Sequence, residues 1–316
     1  MAIARQTKPA APARRLKSGS GNGAMKEPLG ERLFNIANYL FFILFGITTL
    51  FPFLNLIAKS FSGEAAVISG IVTIYPIDFQ TGTYELVLGN KQFLNSFKIT
   101  VLITLVGSLS SMLMTVITAY PLSKPSLVGR KPILLVYVFT MLFNGGLIPT
   151  YLLMQNLGLV NTVWSLFVPG LIIVFYMLIV KNYFESLPES LEESAKLDGA
   201  SNIRILFSII LPLSKPVLAT VALFYAVGLW NSYFNAMVYI TSPELKPLQL
   251  YLKELIASTN EVMRLNGEID ISRDLNKTPE AVQAASIVTA TVPILCVYPF
   301  LQKYFVKGVL VGSVKG

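Results

Sequence analysis

The chain has 316 residues, of which 53% are hydrophobic and 13% are charged, and its formal net charge is +8. The apolar residues occur in long blocks, which is typical of a polytopic membrane protein and excludes a single soluble core. Because the sequence has no histidine and only one cysteine, Cys296, it excludes imidazole metal sites, histidine-dependent catalysis and an internal disulfide. We therefore expect neither catalytic residues nor metal ligands.

The first 32 residues precede the first long apolar block and are rich in alanine, proline, glycine, serine and basic residues. They lack the apolar core of a signal peptide, so we expect no cleavage there. This composition is typical of a disordered cytosolic arm that follows the positive-inside rule and contacts anionic membrane lipid. We assign residues 1–32 to such an arm, which we do not expect to bind nucleic acid, and residues 33–316 to a membrane domain.

Six apolar stretches are long enough to cross a bilayer, and they predict an all-α membrane protein with six transmembrane helices. The third stretch is interrupted by Asn144, Gly145 and Gly146, which predicts a broken helix that faces other protein and not lipid. The predicted spans cover residues 34–57, 93–122, 132–155, 163–183, 217–239 and 282–305.

The distribution of lysine and arginine orients these spans. With the N-terminus inside, the inner segments hold about seventeen of these residues and the outer segments about eight. Both termini and the polar connector 185–216 then lie in the cytoplasm. We expect a multi-pass protein of the bacterial inner membrane.

The connector 185–216 has the pattern of two short helices around a turn. Pro188 suits a first helical turn, Ser190 and Glu193 have capping-box spacing, and Gly199 is a typical helix stop. Ser201 is a suitable N-cap for the second helix. By this pattern alone, an ordinary amphipathic connector fits as well as a functional loop. Leu187, Leu191 and Ala195 repeat at helical spacing on one face of the first predicted helix, and the second predicted helix runs through Ile203, Phe207 and Ile210.

The connector resembles the EAA loop, the signature of the membrane subunits of ABC importers. Ser194 stands where the motif usually has alanine, a change between two small residues. The resemblance is narrower to carbohydrate permeases, such as the second membrane subunit of the maltose transporter and the LplC- and YtcP-like oligosaccharide permeases. The matching residues are Glu193, Ser194, Ala195, Asp198, Gly199, Ala200, Ile209, Leu211, Pro212 and Pro216. Further similar regions at residues 144–151, 157–162, 229–235 and 307–316 extend it over about residues 33–316.

This resemblance implies a type I ABC importer permease that forms a heterodimer with a second permease subunit. It also implies two cytosolic ATPase subunits, which use ATP and Mg²⁺, and an extracytoplasmic solute-binding protein that delivers an oligosaccharide. The chain itself has no glycine-rich phosphate loop, so we expect it to bind no cofactor and not to be an enzyme. The residues implied in ATPase coupling are Glu192, Glu193, Ser194, Ala195, Asp198, Gly199, Ala200 and Arg204.

Two alternatives stay open. One is an importer permease for another small polar solute, which the loop motif does not exclude. The other is an ion-coupled secondary transporter, although the central parts of the spans lack the ionisable groups that such carriers use.

The predicted fifth span carries two amides, Asn231 and Asn235, one helical turn apart on a face shared with Gly228. One interpretation is contact with sugar hydroxyls along the translocation path, with stacking on Tyr225 or Trp230. The other is hydrogen bonding between permease subunits, with Gly228 allowing a close approach. The spacing of the two amides suits either role.

The loop between the fifth and sixth predicted spans, residues 240–281, mixes acidic and basic residues. In maltose-type permeases the corresponding loop meets the binding protein, so the resemblance implies a docking role for this loop. A solvated connector is the alternative. Leucines at residues 248, 250, 252 and 255 predict a helix within the loop.

Overall fold

The computed structural model describes residues 29–265 and 279–313. These residues are mostly helical, and none of them forms a β-strand, which confirms the predicted all-α class for this part of the chain. Most of the N-terminal arm, residues 266–278 of the outer loop and the last three residues of the C-terminal motif lie outside it.

The first half of the described chain contains seven helices. Two 3₁₀ turns, Val163–Leu166 and Val168–Gly170, precede the last of them. The helices are α1 Leu29–Ser60, α2 Glu64–Ile68, α3 Gly82–Gly89, α4 Lys91–Ser123, α5 Arg130–Leu142, α6 Leu147–Asn156 and α7 Val174–Glu185.

The second half begins with the connector. A π-helical turn, Leu206–Ile210, lies between two of its short helices, and a 3₁₀ turn occupies Pro243–Leu245. The helices are α8 Glu189–Leu197, α9 Asn202–Ile205, α10 Leu211–Leu213, α11 Lys215–Trp230, α12 Phe234–Tyr239, α13 Leu248–Leu265 and α14 Pro279–Ser313.

Within the described residues, three helical segments are each long and apolar enough to cross a membrane, and up to six are if each bent pair is one span. The single segments are Gly30–Ser60, Lys91–Ser123 and Pro279–Cys296. The bent pairs are Arg130–Leu142 with Leu147–Asn156 at 114°, Val163–Gly170 with Val174–Glu185 at 50°, and Asn202–Leu213 with Lys215–Trp230 at 84°. The first of these bends confirms the break predicted from Asn144, Gly145 and Gly146.

The predicted fifth span is wrong as a continuous helix over residues 217–239, because α11 ends at Trp230 and α12 begins only at Phe234. Asn231 is the C-cap of α11, and its Nδ2 donates to the Val227 carbonyl at 2.9 Å. A side-chain amide that binds the backbone in this way competes with continuation of the helix. Asn231 and Asn235 therefore do not share one helical face.

The chain divides into two compact units, Met1–Leu50 and Phe51–Gly316, with the boundary inside α1. In the first unit, the Phe41 ring contacts Phe42 edge-on at 5.5 Å and stacks with Phe45 at 6.3 Å. Such an aromatic stripe is suited to a lipid or protein environment. The second unit contains the core clusters described below.

The largest apolar cluster of the second unit joins α4, α7 and α11 at the ends nearest the connector. Its centre includes Ala119, Met177 and Val221, all with no exposed surface. Further along α4, Gly107 allows a close approach: a Cβ there would lie 2.8 Å from Leu229 Cδ1 and 3.1 Å from Phe167 Cβ. The three helices therefore form one packed body.

The predicted helix in the outer loop is confirmed as α13, and it packs onto the body of the second unit. Leu248 is fully buried, and its backbone N–H donates to Thr100 Oγ1 of α4 at 2.7 Å. Leu250 and Leu252 are also buried. Burial raises the pKa of the nearby Tyr251 phenol above its usual value.

Candidate functional site

Residues 185–216, here called the coupling segment, turn at Gly199, whose φ is +77°. The Gly199 N–H donates to Lys196 O at 3.0 Å and the Ala200 N–H to Ala195 O at 2.9 Å. This pair of bonds is the Schellman end of α8, so the predicted helix stop is confirmed. Ser201 Oγ accepts from the Arg204 N–H at 3.4 Å, which confirms the predicted cap of α9.

The capping box predicted for Ser190 and Glu193 is wrong. Pro188 has an extended backbone and is itself the N-cap of α8, with no side-chain cap bond. Ser190 therefore lies inside the first turn, where its carbonyl accepts from Ser194 Oγ at 2.8 Å. A capping box requires the hydroxyl one position before the helix, and proline occupies that position.

The apolar residues of the second predicted helix lie on different sides of the chain. Ile203 and Phe207 point outward and are exposed by 72% and 56%, whereas Ile210 is buried together with Ile205 and Leu206. The cause is the π-helical turn at residues 206–210. Its wider i→i+5 turn places Ile210 on the core side of the chain instead of in line with Phe207.

The inner face of the coupling segment packs onto three long helices at once. Ala195 of α8 and Ile205, Leu206 and Ile210 belong to the same buried cluster as the central residues of α4, α7 and α11. The segment is therefore in direct packing contact with all three helices.

Two ion pairs attach the coupling segment to the α4–α5 turn. Lys124 binds Glu192 of α8, and Arg130 binds Glu185 at the end of α7. Glu185 also binds Lys181 at 2.8 Å, one helical turn away. The Arg130 Nε donates to the Leu122 carbonyl at 2.8 Å, which closes the turn. These bonds fix the position of α8 relative to α4.

The outer surface of the coupling segment offers two kinds of contact. Next to the ion pairs lies an open cleft of about 490 Å³ whose walls include the exposed Glu189, Glu193 and Lys196. Beyond it, Leu197 is exposed by 90%, near Ile203 and Phe207 in the chain. A surface of exposed large apolar residues beside charged groups is suited to a protein partner.

All eight predicted coupling residues belong to this segment, and they differ in how far they are exposed. Glu193, Ser194, Asp198, Gly199 and Arg204 are exposed, Glu192 and Ala200 are half-buried, and Ala195 is buried. Sequence analysis missed Lys124, Arg130 and Leu197. The sequence did carry a signal for the ion pairs, because the cations Lys124 and Arg130 lie in one inner segment and the acids Glu185 and Glu192 lie in the connector.

Two of the four predicted path residues lie in the protein core. The Tyr225 hydroxyl is 2.8 Å from Thr115 Oγ1 and accepts from the Ile173 N–H at 3.1 Å. Trp230 is buried with its ring edge-on to Phe97 at 6.1 Å. In this conformation neither ring has a free face for a sugar.

The other two predicted path residues flank the break after α11. Asn235 is half-buried on α12, and Asn231 is exposed. Asn231 lines an open cleft of about 550 Å³ between α11, α13 and α14, here called the α11–α13 cleft. Tyr233 and Lys253 also line this cleft, and sequence analysis missed both.

Asn161, in one of the segments that carry the family resemblance, fixes the start of the outer loop. Its φ is +57°, a conformation that asparagine tolerates better than most residues. Its backbone N–H donates to Tyr239 O at 2.7 Å, and its Oδ1 accepts from the N–H groups of Thr241 and Ser242. The loop that leads to α13 is thereby attached to the α6–α7 connection.

A bundle of apolar, bent helices with a charged connector packed beneath three of them defines a membrane transport permease. The chain belongs to the family of binding-protein-dependent transport system inner membrane components, which it matches over residues 99–311. Membership of this ABC permease family confirms the resemblance and the type I permease fold predicted from the connector.

Similar proteins cover nearly the whole chain. Protein LplC of Bacillus subtilis (strain 168) is 45% identical over 285 residues, which cover 90% of this chain and 96% of that protein. The polygalacturonan/rhamnogalacturonan transport system permease protein YtcP of the same organism is 40% identical over 287 residues, covering 90% and 99%. The crystal structure of a bacterial ABC transporter involved in the import of the acidic polysaccharide alginate contains a chain with a TM-score of 0.81 and 35% identity, covering 89% of this chain and 99% of that one.

Proposed function

We propose that this chain is a permease subunit of an ATP-driven, binding-protein-dependent importer of oligosaccharides. Family membership supports the importer, and the saccharides in the names of YtcP and of the alginate transporter support the substrate. The observation that carries the mechanism is the burial of the coupling segment against α4, α7 and α11.

In this proposal the chain crosses the inner membrane six times, with both termini and the coupling segment in the cytoplasm. Residues 1–32 are a cytosolic arm and residues 33–316 the membrane domain. The chain pairs with a second permease, and two cytosolic ATPase subunits contact the coupling segment from outside. ATP and Mg²⁺ bind only to the ATPases, and this chain performs no covalent chemistry.

Closure of the ATPases displaces α8 and the turn at Gly199. Because the inner face of the segment is packed against three helices, this displacement tilts them together and changes which side of the path is open. The exposed Leu197, Ile203 and Phe207 offer the apolar part of the ATPase contact, and Glu193 with Arg204 the charged part.

On the other side of the membrane, an extracytoplasmic binding protein delivers the sugar. The outer loop, residues 240–281, is the proposed docking segment. Two features support this role. The helix α13 is held by the packing of Leu248, and the start of the loop is held by hydrogen bonds to Asn161. The described part of the loop, residues 240–265, is held by these contacts, so it can contact a partner without a large entropic cost of ordering.

The test is to purify the chain from its native membrane, identify the proteins that accompany it, and reconstitute the complex in proteoliposomes. We expect a second permease and an ATPase to co-purify, and ATP hydrolysis to rise only when sugar-loaded binding protein is present. If an amino acid or another small polar solute stimulates ATP hydrolysis instead, that solute would replace the oligosaccharide as the proposed substrate. A chain that purifies alone and accumulates solute on an ion gradient without ATP would contradict the importer itself.

A further inference from the structure

The α11–α13 cleft has the size and lining of a small-molecule site. Its volume of about 550 Å³ lies in the usual range for such sites. Apolar residues of α13 and α14 form much of its wall. Polar groups converge on it from three helical segments, supplied by Asn231, Tyr233, Gln249, Lys253 and Thr291.

Lys253 brings a positive charge to this cleft with only weak contacts to the described residues. Its Nζ lies 4.2 Å from the centroid of the Tyr233 ring and 3.7 Å from the Met237 sulfur, a poor acceptor. The neighbouring Glu254 binds Lys246 instead, at 2.7 and 2.8 Å. None of the described residues that line the cleft is acidic. The ammonium group therefore has donors left for a ligand.

The position of the cleft places it at the opposite end of α11 from the coupling segment. This helix has 16 residues, and at 1.5 Å per residue it is about 24 Å long. The cleft walls include Ile256, Ile287 and Ile294, which can contact the apolar faces of a sugar ring. Lys253 is exposed, so its attraction for an anion depends on direct contact at hydrogen-bond distance and not on exclusion of water.

The remaining polar groups suit sugar hydroxyls. The Asn231 Nδ2 donates to the Val227 carbonyl, which leaves the Asn231 Oδ1 as an acceptor for a ligand. The side chain of Gln249 makes no hydrogen bond to a described residue, so both its donor and its acceptor are available to a ligand. A neutral sugar would use these amides alone, whereas a carboxylate on the sugar would also accept hydrogen bonds from the Lys253 ammonium group.

We propose that the α11–α13 cleft binds a sugar that carries a carboxylate, with Lys253 binding the carboxylate and Asn231 and Gln249 binding hydroxyls. The proposal rests on the importer function above and narrows its substrate class to acidic saccharides. Tyr233 holds the lysine side chain in place when no ligand is bound, through the contact with its ring.

The experiment uses the complete importer in proteoliposomes, with ATP inside and binding protein outside. The probes are labelled tetragalacturonate and its fully methyl-esterified form, which has the same rings without the charge. We expect Lys253→Gln to raise the concentration for half-maximal tetragalacturonate uptake about twofold to fivefold, the effect of losing an ion pair with an exposed lysine. Lys253→Arg keeps the charge and should keep most of the uptake, and Gln249→Glu should weaken uptake of the acid by repulsion.

Lys91→Gln is the matched control, because Lys91 is exposed at the start of α4, lies outside the cleft lining and forms no ion pair with the described residues. We expect it to leave the preference between the two probes unchanged. An equal loss of both probes in Lys253→Gln would indicate a structural role and overturn the proposal, as would no loss of either. If the wild-type complex imports the ester but not the acid, the importer stands and the acidic-sugar site fails; if it imports no saccharide, both fail.

Discussion

Gly199 has a backbone conformation that strains any other residue. Its φ of +77° costs an L-residue roughly 1–2 kcal/mol, although the space around it is open, because a Cβ there would meet nothing within 4 Å. Its N–H also forms one of the two bonds that end α8. The turn that joins the two halves of the coupling segment therefore depends on backbone freedom and not on packing.

We predict that Gly199→Pro uncouples the importer while leaving it assembled. Proline fixes φ near −65° and removes the N–H, so the turn must rearrange. In Gly199→Pro, the sugar uptake per ATP hydrolysed, measured on the same proteoliposomes, should fall steeply. In Gly199→Ala, this ratio should lie between those of the wild type and Gly199→Pro. Gly89→Ala is the control, because Gly89 has no positive φ and no close neighbour. Normal uptake by an assembled Gly199→Pro complex would contradict the coupling role.

The Lys124–Glu192 pair is the second contact at residue scale that the mechanism needs. Both side chains are largely buried, with 24% and 13% exposure, so solvent weakens the pair less than at an open surface. We predict that Glu192→Gln lowers the stability of the purified complex by about 1 kcal/mol and lowers uptake per ATP. The charge-swapped double variant, Lys124→Glu with Glu192→Lys, should recover part of the lost stability and part of the lost uptake per ATP. A double variant no better than the sum of the single ones would rule out a direct pairing.

At the scale of elements, the close approach of α4 and α11 depends on Gly107. A methyl group there would overlap Leu229 Cδ1 at 2.8 Å and press on Phe167. We predict that Gly107→Ala destabilises the complex by about 1–3 kcal/mol, the usual cost of overpacking. Adding Leu229→Ala should remove much of this penalty, as read from thermal unfolding. Equal unfolding temperatures for Gly107→Ala and wild type would show that the two helices separate easily.

The elements that sequence analysis predicted correctly are those with a strong local signal. The break at Asn144, the stop at Gly199, the Ser201 cap and the helix over Leu248 each follow from residue types with a strong local preference for a break, a cap or a helix. Helices long and apolar enough to cross a membrane follow from long apolar runs. These signals act within a few residues, so they do not depend on how the rest of the chain folds.

The elements that it missed depend on context. The π-helical turn at residues 206–210 changes which residues face the core, and no residue type specifies it. The end of α11 arises because Asn231 binds its own helix, a choice that an isolated asparagine does not reveal. Lys253 lines the α11–α13 cleft because α13 packs against α4 and α14. Long-range packing, which a single sequence leaves open, decides all three.

For the whole molecule, the proposed mechanism requires the coupling segment and the nearby parts of α4, α7 and α11 to move as one body. Their shared buried cluster and the two ion pairs support this. In the proposed mechanism, this body would convert a displacement at the ATPase contact into a change at the far end of α11, where the α11–α13 cleft lies. Flexible attachment would dissipate the displacement before it reached the path.

The most direct measurement is the distance between spin labels placed on exposed Ser190 of α8 and exposed Leu113 of α4, after replacing the single native cysteine, Cys296. The distance would be determined in the assembled importer without nucleotide and with ATP trapped. We predict that its mean and width stay the same in both states, because the two sites belong to one packed body. A shift or broadening with ATP in a transport-active complex would mean that α8 moves independently of α4, and would contradict the coupling mechanism.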